Sequence, residues 1–433
     1  MSSESRSSTS SISTTAFGSG STSGSAYTKM SPRPSPRVAT FAAAEEGYSV
    51  RLQKGKSELP ELNLDLGLDL DLDALRRPSI LIQDIIATGG LSDHNAPLSA
   101  RSSPITPAPQ YPGWVSEVVA PLSDFIDQTL DPRTLFGEFR EIGEGESGSV
   151  YAARVLVSER RVAGPSFVAI KNVPLLPSGS PKLIDLQREL SLMRDVTHPN
   201  ILSMEGLFVD VVEDALWIKM ELMERSLADI IMLVEEGIAV EEGPIARFAC
   251  DVLHALSHLQ LLGIAHRDLR SDNLLVNSEG VVKIADFSSA VRVSRNKPTR
   301  SDPAGVIYWQ PPEMRQGTYN ALKVDVWSLG ATVWELAQAE PPFSNTTDPG
   351  QMADRWPPLL QPEIYSRSFH DFLHLCSQPS SSRPTPDELL KTPFIRSAGG
   401  RPTVLQLLAE CRSVEERLSR RQSTDSDGTV SLS

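Results

Sequence analysis

The amino-acid sequence predicts an α+β protein with two lobes, a small lobe built on an antiparallel sheet and a larger helical lobe. Between residues 135 and 395, short segments rich in β-branched residues come first, and segments with apolar residues at helical spacing follow. A glycine-rich turn at residues 143–148 separates two of the early segments, as expected for a hairpin. We therefore expect one domain over residues 135–395, with a sheet lobe at 135–222 and a helical lobe at 223–395.

The two ends of the chain differ from this domain in composition. Residues 1–110 are dominated by Ser, Thr, Pro, Gly and Ala and contain few aromatic residues, so this stretch is predicted to be disordered. Residues 111–134 form a lead-in segment with apolar residues at helical spacing. In the tail, residues 396–433, one amphipathic helix is expected to dock on the domain. Its apolar positions are Val404, Leu407, Leu408, Cys411, Val414 and Leu418.

Within the first stretch, leucines alternate with mostly acidic residues from Leu62 to Leu72. A period of two would place every leucine on one face of a strand, and such a segment can add to the exposed sheet edge of a partner. A solvated acidic linker with incidental leucines explains the same pattern. Both interpretations stay open.

Charge and cysteine content limit the kinds of partner. The net charge of −14 argues against nonspecific binding of the whole molecule to nucleic acid or to a membrane surface. The three cysteines are too few and too scattered for a disulfide framework or a zinc cluster, and no apolar run approaches membrane-spanning length. We therefore expect a cytoplasmic protein without a membrane span, whose partners are proteins and not nucleic acid.

The glycine-rich turn indicates a nucleotide site. Gly143, Gly145 and Gly148 lack side chains, so backbone N–H groups there can approach phosphates. A dinucleotide-binding fingerprint has the same glycine spacing, but it must open a helix, whereas the segment from Val150 onward favours a strand.

A lysine and a glutamate follow at positions suited to the same site. Residues 167–171 form an apolar strand that ends in Lys171, whose ammonium can reach nucleotide phosphates but is costly to hold unpaired in a dry cleft. Glu189 lies on a predicted helix, at a position from which it can pair with the Lys171 ammonium. The apolar residues that mark this helix are Leu183, Leu186, Leu190 and Met193.

The most informative motif is the catalytic loop, residues 266–273, with the sequence H-R-D-L-R-S-D-N. With Asp286-Phe287-Ser288 beyond it, it supplies a candidate proton acceptor, Asp268, and two candidate Mg²⁺ ligands, Asn273 and Asp286. Transfer of a phosphoryl group from ATP to a protein hydroxyl requires these groups.

In order and spacing, these motifs resemble a eukaryotic protein kinase domain over residues 135–395. The resemblance implies that Asp268 accepts the proton of the substrate hydroxyl, that Asn273 and Asp286 hold Mg²⁺, and that Arg270 faces the transferring phosphate. It also implies that Met220 is the gatekeeper of an adenine pocket, with backbone bonds offered by the two hinge residues at 221 and 223. The implied ATP-binding residues are Gly143, Gly145, Gly148, Val150, Ala169, Lys171, Glu189, Met220, Glu221, Met223 and Leu275.

Subfamily signals point to more than one group. Ser271-Asp272-Asn273, Asp131-Pro132 and residues 305–309 resemble the sterile-twenty group of Ser/Thr kinases and, within it, the p21-activated (PAK) kinases. The hinge, residues 220–227, lacks the glycines of a PAK hinge and resembles that of a MAP kinase kinase. No small-GTPase-binding segment of the I-S-x-P type is recognised in residues 1–110, so regulation by that route is not predicted.

Three residues depart from the usual kinase pattern. Arg270 replaces a lysine, which exchanges a compact ammonium for a planar fork. Ser288 replaces a glycine and so loses easy access to positive φ. Val306 replaces a threonine that bonds the catalytic aspartate, which removes one support for selectivity toward Ser and Thr hydroxyls.

Asp302 lies where a PAK-like kinase would carry its activating phosphothreonine. Its carboxylate can pair with Arg267, which would give basal activity without phosphorylation of the activation loop, although one carboxylate mimics a phosphate only in part. A simple turn at residues 301–305 explains the same sequence. Both hypotheses stay open.

The leading prediction is a Ser/Thr protein kinase in a signalling cascade, which uses ATP and Mg²⁺ and acts on protein substrates together with upstream or downstream kinases. Arginines before Ser79 and Ser423 suggest inputs from other kinases. The three departures motivate a pseudokinase scaffold as the alternative, and the hinge motivates a dual-specificity enzyme like a MAP kinase kinase. Every group that the chemistry requires is present, which favours activity.

Overall fold

A five-stranded antiparallel sheet forms the smaller lobe in this computed structural model, which describes residues 111, 113–145, 148–156, 167–179, 181–346 and 349–427. The strand order is β1-β2-β3-β5-β4, with neighbours antiparallel throughout. The strands are β1 (Phe136–Gly145), β2 (Gly148–Val155), β3 (Phe167–Pro174), β4 (Met204–Asp210) and β5 (Ala215–Met220).

Alternation along the strands divides the apolar side chains of this sheet between its two faces. Ile170 on β3 and Trp217 on β5 belong to one buried cluster, and Leu216 and Ile218 belong to the other. The second cluster also contains the apolar side of helix α3 (Pro181–Met193). The lead-in segment packs into the same cluster through α1 (Trp114–Val119) and a 3₁₀ turn (Ala120–Leu122), and α2 (Pro132–Leu135) precedes β1.

Helices dominate the larger lobe, whose core surrounds α5 (Glu242–Leu261) and α7 (Ala321–Gln338). The remaining helices are α4 (Leu227–Met232), α6 (Pro312–Arg315), α8 (Arg367–Cys376), α9 (Pro386–Leu389), α10 (Pro393–Arg396) and α11 (Arg401–Asp427). Short strands pair as β6-β8-β9, β7-β10 and β11-β12. They are β6 (Arg225–Ser226), β7 (Ile264–Ala265), β8 (Leu274–Val276), β9 (Val282–Ile284), β10 (Val291–Arg292), β11 (Thr299–Arg300) and β12 (Tyr319–Asn320).

This arrangement confirms the predicted two-lobed α+β fold, and it places the catalytic loop between β7 and β8. The leucine-rich segment from Leu62 to Leu72 and Ser79 lie outside the described residues. Among the helices that the structure describes, none has both the length and the apolar character needed to cross a membrane.

Candidate active site

The backbone of the catalytic loop is anchored by buried groups. The Asp325 carboxylate, near the start of α7, accepts hydrogen bonds from the N–H groups of His266 and Arg267, each at 2.8 Å. The buried His266 ring accepts from the Asp268 N–H through Nδ1 at 3.3 Å, so its Nε2–H donates to Ala285 O at 3.0 Å. These bonds fix the backbone that leads into Asp268.

The carboxylate of Asp268 receives two donors from the chain itself. Val306 N–H donates to Oδ1 at 3.2 Å, and Asn273 Nδ2 donates to Oδ2 at 3.3 Å and to the backbone carbonyl at 2.8 Å. Gly305, with φ 72°, allows this approach, because a Cβ there would collide with Arg267 O. The backbone N–H of Val306 thus bonds the aspartate at the position where the usual threonine hydroxyl is absent.

Arg270 stands beside Asp268 but is bound elsewhere. Its Nη1 donates to Asp272 Oδ2 at 2.6 Å, its Nε lies 3.8 Å from Asp268 Oδ1, and its guanidinium carbon lies 5.8 Å from the centre of the Trp309 ring. Burial raises the pKa of the Asp272 carboxyl, and the Arg270 charge opposes this shift. One nitrogen of the Arg270 guanidinium is already bonded to Asp272. The contact of Arg270 with the transferring phosphate therefore stays a prediction.

The two predicted Mg²⁺ ligands present oxygen atoms to the cleft. Asn273 uses its amide nitrogen to bond Asp268, which leaves Oδ1 as the atom it can offer to a cation. Asp286 accepts from the Ser288 N–H at 3.2 Å. Partial desolvation raises the pKa of Asp286, but the Ser288 donors and nearby Lys171 lower it overall. Ionised carboxylate and amide oxygens fit a hard divalent cation.

Ser288 differs from what its sequence position suggests. The positive φ in this segment, 58°, belongs to Asp286, and Ser288 is not among the described residues with positive φ. The serine therefore carries no left-handed strain, and its hydroxyl, which a glycine lacks, helps to lower the pKa of the candidate metal ligand Asp286.

The predicted ion pair between Lys171 and Glu189 is not formed. Glu189 on α3 accepts a hydrogen bond from the Phe287 N–H at 3.2 Å. Within the described part of the chain, no ion pair joins Lys171 to Glu189 within 4.0 Å. Burial and the Asp286 charge raise the pKa of Glu189, whereas the Lys171 charge lowers it. The two side chains therefore interact at a longer range than the sequence led us to expect.

The remaining nucleotide-binding candidates lie on β1, β2, β3, β8 and the hinge. Gly143 pairs with Val150, and Gly145 pairs with Gly148, so the candidate phosphate loop is a hairpin. Gly148 has φ 132°, and a Cβ there would collide with Asn172 O, which makes glycine necessary at this position.

The candidate adenine pocket is bounded by paired strands. Ala169 lies opposite Met220 in the β3–β5 register, and Leu275 lies on β8, which pairs with β6 in the hinge. Met223 is buried. The Glu221 side chain accepts a hydrogen bond from Asn277 at 2.9 Å and pairs with Lys283. The side chain thus has its own partners, and only the backbone of Glu221 is assigned to adenine.

Asp302 joins the loop around it to the catalytic loop. Arg267 Nη1 donates to Oδ2 at 2.7 Å, Arg300 Nε donates to Oδ1 at 2.6 Å, and the Tyr319 hydroxyl donates to the backbone carbonyl at 2.7 Å. The hydrogen bond from Arg300 is the largest influence on the Asp302 carboxyl, whose pKa lies well below its usual range. Sequence reasoning found Arg267 but missed Arg300 and Tyr319, although an arginine two residues before the aspartate was a usable signal.

Comparisons with known proteins agree with this geometry. Residues 136–395 match the family described as protein kinase domain. The Ser/Thr-protein kinase pakC of Dictyostelium discoideum is 31% identical over 298 residues, which cover 68% of this chain and 60% of pakC. The Ser/Thr-protein kinase PAK 4 of Homo sapiens is 35% identical over 289 residues, covering 65% of this chain and 46% of PAK 4, and Tao of Drosophila melanogaster is 33% identical over 66% and 27%.

The chain therefore spans between about a quarter and three fifths of these relatives' lengths. The relatives named PAK confirm the predicted likeness to p21-activated kinases in the domain itself. Because the family match covers more than half of its length, the chain belongs to the protein kinase family, with a PAK-like kinase domain.

Proposed function

We propose that this protein is a Ser/Thr protein kinase that transfers the γ-phosphoryl group of ATP to protein hydroxyls in a signalling cascade. The observation that carries the proposal is the position of Asp268. Its carboxylate is bonded to Val306 N–H and Asn273 Nδ2, and Asp325 fixes the two residues just before it. A fixed carboxylate next to a cleft is suited to accept the proton of an incoming hydroxyl.

The other side chains divide the remaining work of phosphoryl transfer. Asn273 and Asp286 would hold Mg²⁺, which, when bound, neutralises the charge of the phosphate oxygens. Lys171 is suited to bind nucleotide phosphates, and Glu189 to hold Lys171 in place once the two approach. Arg270 keeps a positive charge 3.8 Å from Asp268, where it can favour negative charge on an approaching phosphate.

The departures from the kinase pattern have local explanations that support activity over a pseudokinase scaffold. Ser288 donates to Asp286, and the Val306 N–H donates to Asp268. Neither substitution removes a proton acceptor or a metal ligand. Dual specificity is the second candidate, since the side chain of Val306 offers no hydroxyl and the hinge resembles that of a MAP kinase kinase.

Proteins are the proposed substrates and regulatory partners, including upstream or downstream kinases. The net charge of −14 disfavours nucleic acid. We place the protein in the cytoplasm, because its three cysteines are buried and unpaired, which suits a reducing compartment.

The test is transfer of radiolabelled phosphate from ATP to peptide libraries whose acceptor is Ser, Thr or Tyr. Phosphatase-treated protein with Mg²⁺ is expected to label Ser and Thr peptides, and Lys171→Met serves as the inactive control. Labelling of Tyr peptides as well would indicate dual specificity. Nucleotide binding without any labelling would instead establish a scaffold.

A further inference from the structure

The C-terminal helix α11 is packed into the larger lobe along much of its length. Val404, Leu407, Leu408, Cys411 and Val414 are buried in the core that surrounds α5 and α7. These residues recur at helical spacing, so one side of α11 covers the lobe. The helix is therefore part of the lobe and not an appendage to it.

The first turn of α11 is fixed to α5. The Arg401 guanidinium forms a two-pronged ion pair with Asp251, whose side chain is fully buried, and donates to Gly280 O at 2.8 Å. Arg247 also pairs with Asp251, at 2.5 Å. Asp251 consequently keeps a cationic partner even when Arg401 is replaced.

Farther along, α11 reaches the hinge. Arg225 donates to both carboxylate oxygens of Glu415, at 3.0 and 3.1 Å, and the two side chains are only 3% and 11% exposed. Arg412 donates to Glu224 at 2.8 Å. The Glu224 N–H also donates to Val276 O at 2.8 Å, so the hinge is held between β8 and α11.

The pairs between α11 and the hinge matter because their charges are buried. Without the Glu415 charge, the buried Arg225 guanidinium keeps the Glu224 carboxylate, 3.6 Å from Nη2, which Arg412 also binds. The charge of Arg225 is then compensated less well, so the chain around it shifts to bring the guanidinium toward water. Arg225 follows Met223 by two residues, and Met223 is one of the two hinge residues whose backbone is assigned to adenine. Any shift of Arg225 is therefore transmitted to the adenine side of the cleft.

We propose that α11 positions the hinge for nucleotide binding through two positioning pairs, Arg225–Glu415 and Glu224–Arg412. The tail then sets the affinity for ATP without touching it. This inference rests on the proposed function only in that the hinge must bind adenine.

The test compares variants at the two ends of the same helix in the full-length chain. Glu415→Gln removes the charge at the hinge and keeps the shape, and it is expected to raise the Kd for ATP about tenfold, equivalent to about 1.4 kcal/mol. Arg412→Gln, at the more exposed pair, is expected to raise it about threefold. Arg401→Gln is the matched control, because it cuts the ion pair at the end remote from the hinge.

The Kd for ATP with Mg²⁺ is measured by calorimetric titration, at a temperature well below the melting temperature of every variant. Steady-state kinetics then separate the KM for ATP from kcat. Positioning predicts a rise in Kd and KM for the hinge-side variants with kcat nearly unchanged, whereas Arg401→Gln lowers the melting temperature and leaves Kd unchanged.

Two results would overturn the inference: wild-type Kd in Glu415→Gln, or an equal rise in Arg401→Gln, which would mean that the helix contributes stability alone. If Glu415→Gln does not fold, wild-type Kd in Arg412→Gln overturns it in the same way. Wild-type protein that binds no ATP would refute the proposed function, and the inference with it.

Discussion

The two sides of the cleft differ in how completely the chain assembles them. On the side proposed to receive the substrate hydroxyl, here called the hydroxyl side, Asp268 is bonded to Val306 and Asn273, and the backbone just before it is anchored by a buried aspartate. On the phosphate side, Glu189 contacts Phe287, and among the described residues no ion pair links it to Lys171 within 4.0 Å. The chain's own hydrogen bonds thus build the proposed site for the hydroxyl, whereas in the proposed site for the phosphates Lys171 and Glu189 have yet to approach each other.

This difference follows from where the groups lie. The catalytic loop and its anchors all belong to the larger lobe and share one buried network, so their geometry does not depend on a ligand. Lys171 and Glu189 lie on separate elements of the smaller lobe, β3 and α3, and both side chains are partly buried. Binding of substrate commonly completes such a constellation.

The largest effect is expected when the carboxylate that anchors the catalytic loop is removed. Asp325→Ala leaves the N–H groups of His266 and Arg267 without their acceptor, at about 1–3 kcal/mol for each group, so the free energy of unfolding should fall by about 2–6 kcal/mol. Displacement of Asp268 should lower kcat about 100-fold. Steady-state kinetics and urea unfolding measure the two effects.

The affinity of Asp325→Ala for ATP separates the two sides of the cleft. If they are assembled independently, calorimetric titration should give the wild-type Kd for this variant. A Kd raised in parallel with the loss of kcat would show that the catalytic loop also supports the phosphate side.

A smaller effect is expected at Asp302. Asp302→Asn keeps the preference for a turn but removes the charge that joins Arg267 and Arg300, so kcat/KM of phosphatase-treated protein should fall about tenfold, or about 1.4 kcal/mol. Asp302→Glu, which keeps the charge, is the control. Equal kcat/KM in wild type and Asp302→Asn would leave Asp302 with the role of a turn residue alone.

Ser288 allows a smaller effect to be tested at Asp286, the proposed metal ligand. Ser288→Ala and Ser288→Gly both remove the hydroxyl that helps to lower the pKa of Asp286, and the loss of this interaction should raise the Mg²⁺ concentration for half-maximal rate about two- to tenfold. Alanine keeps the restricted backbone, and glycine does not. A change in the glycine variant alone would assign the effect to backbone freedom and not to the hydroxyl.

A separate prediction concerns pH and Glu335, which lies beneath the catalytic loop. It accepts from Ser271 Oγ at 2.7 Å and from Trp309 Nε1 at 2.9 Å, and burial raises its pKa from 4.5 to about 8. The folded protein then holds a proton that the unfolded chain releases, so this group's stabilisation is complete below pH 4.5 and is lost as pH rises toward 8.

Glu335→Gln removes this proton from both states. Urea unfolding between pH 5 and pH 8 is the measurement, and the wild type should lose stability relative to the variant by at most about 1.4 kcal/mol per pH unit as pH rises. Parallel pH profiles would mean that Glu335 is ionised in the folded protein throughout this range.

The sequence predicted the fold and the contact between groups proposed for the hydroxyl side, because those residues are close together along the chain. Asp268 and Asn273 lie in one eight-residue motif, and a motif of that length carries its own local geometry. The order of sheet and helical segments was likewise visible in the spacing of apolar residues.

Contacts that depend on distant segments were not predicted. The donor from Val306 is a backbone group, so no residue type signals it, and it reaches Asp268 across 38 positions of sequence. The separation of Lys171 and Glu189 depends on how α3 lies against the sheet, which residue spacing does not determine. The same holds for Glu415, whose partner Arg225 is 190 positions away.

Phosphoryl transfer by wild type and Asp268→Asn is the decisive comparison for the hydroxyl side. Asparagine keeps the shape of the side chain and an oxygen for the Val306 N–H, but it cannot accept a proton. Labelling of Ser and Thr peptide libraries should fall about 10²- to 10⁴-fold in the variant, while its affinity for ATP stays the same. Equal labelling by the two proteins would show that Asp268 is not the proton acceptor.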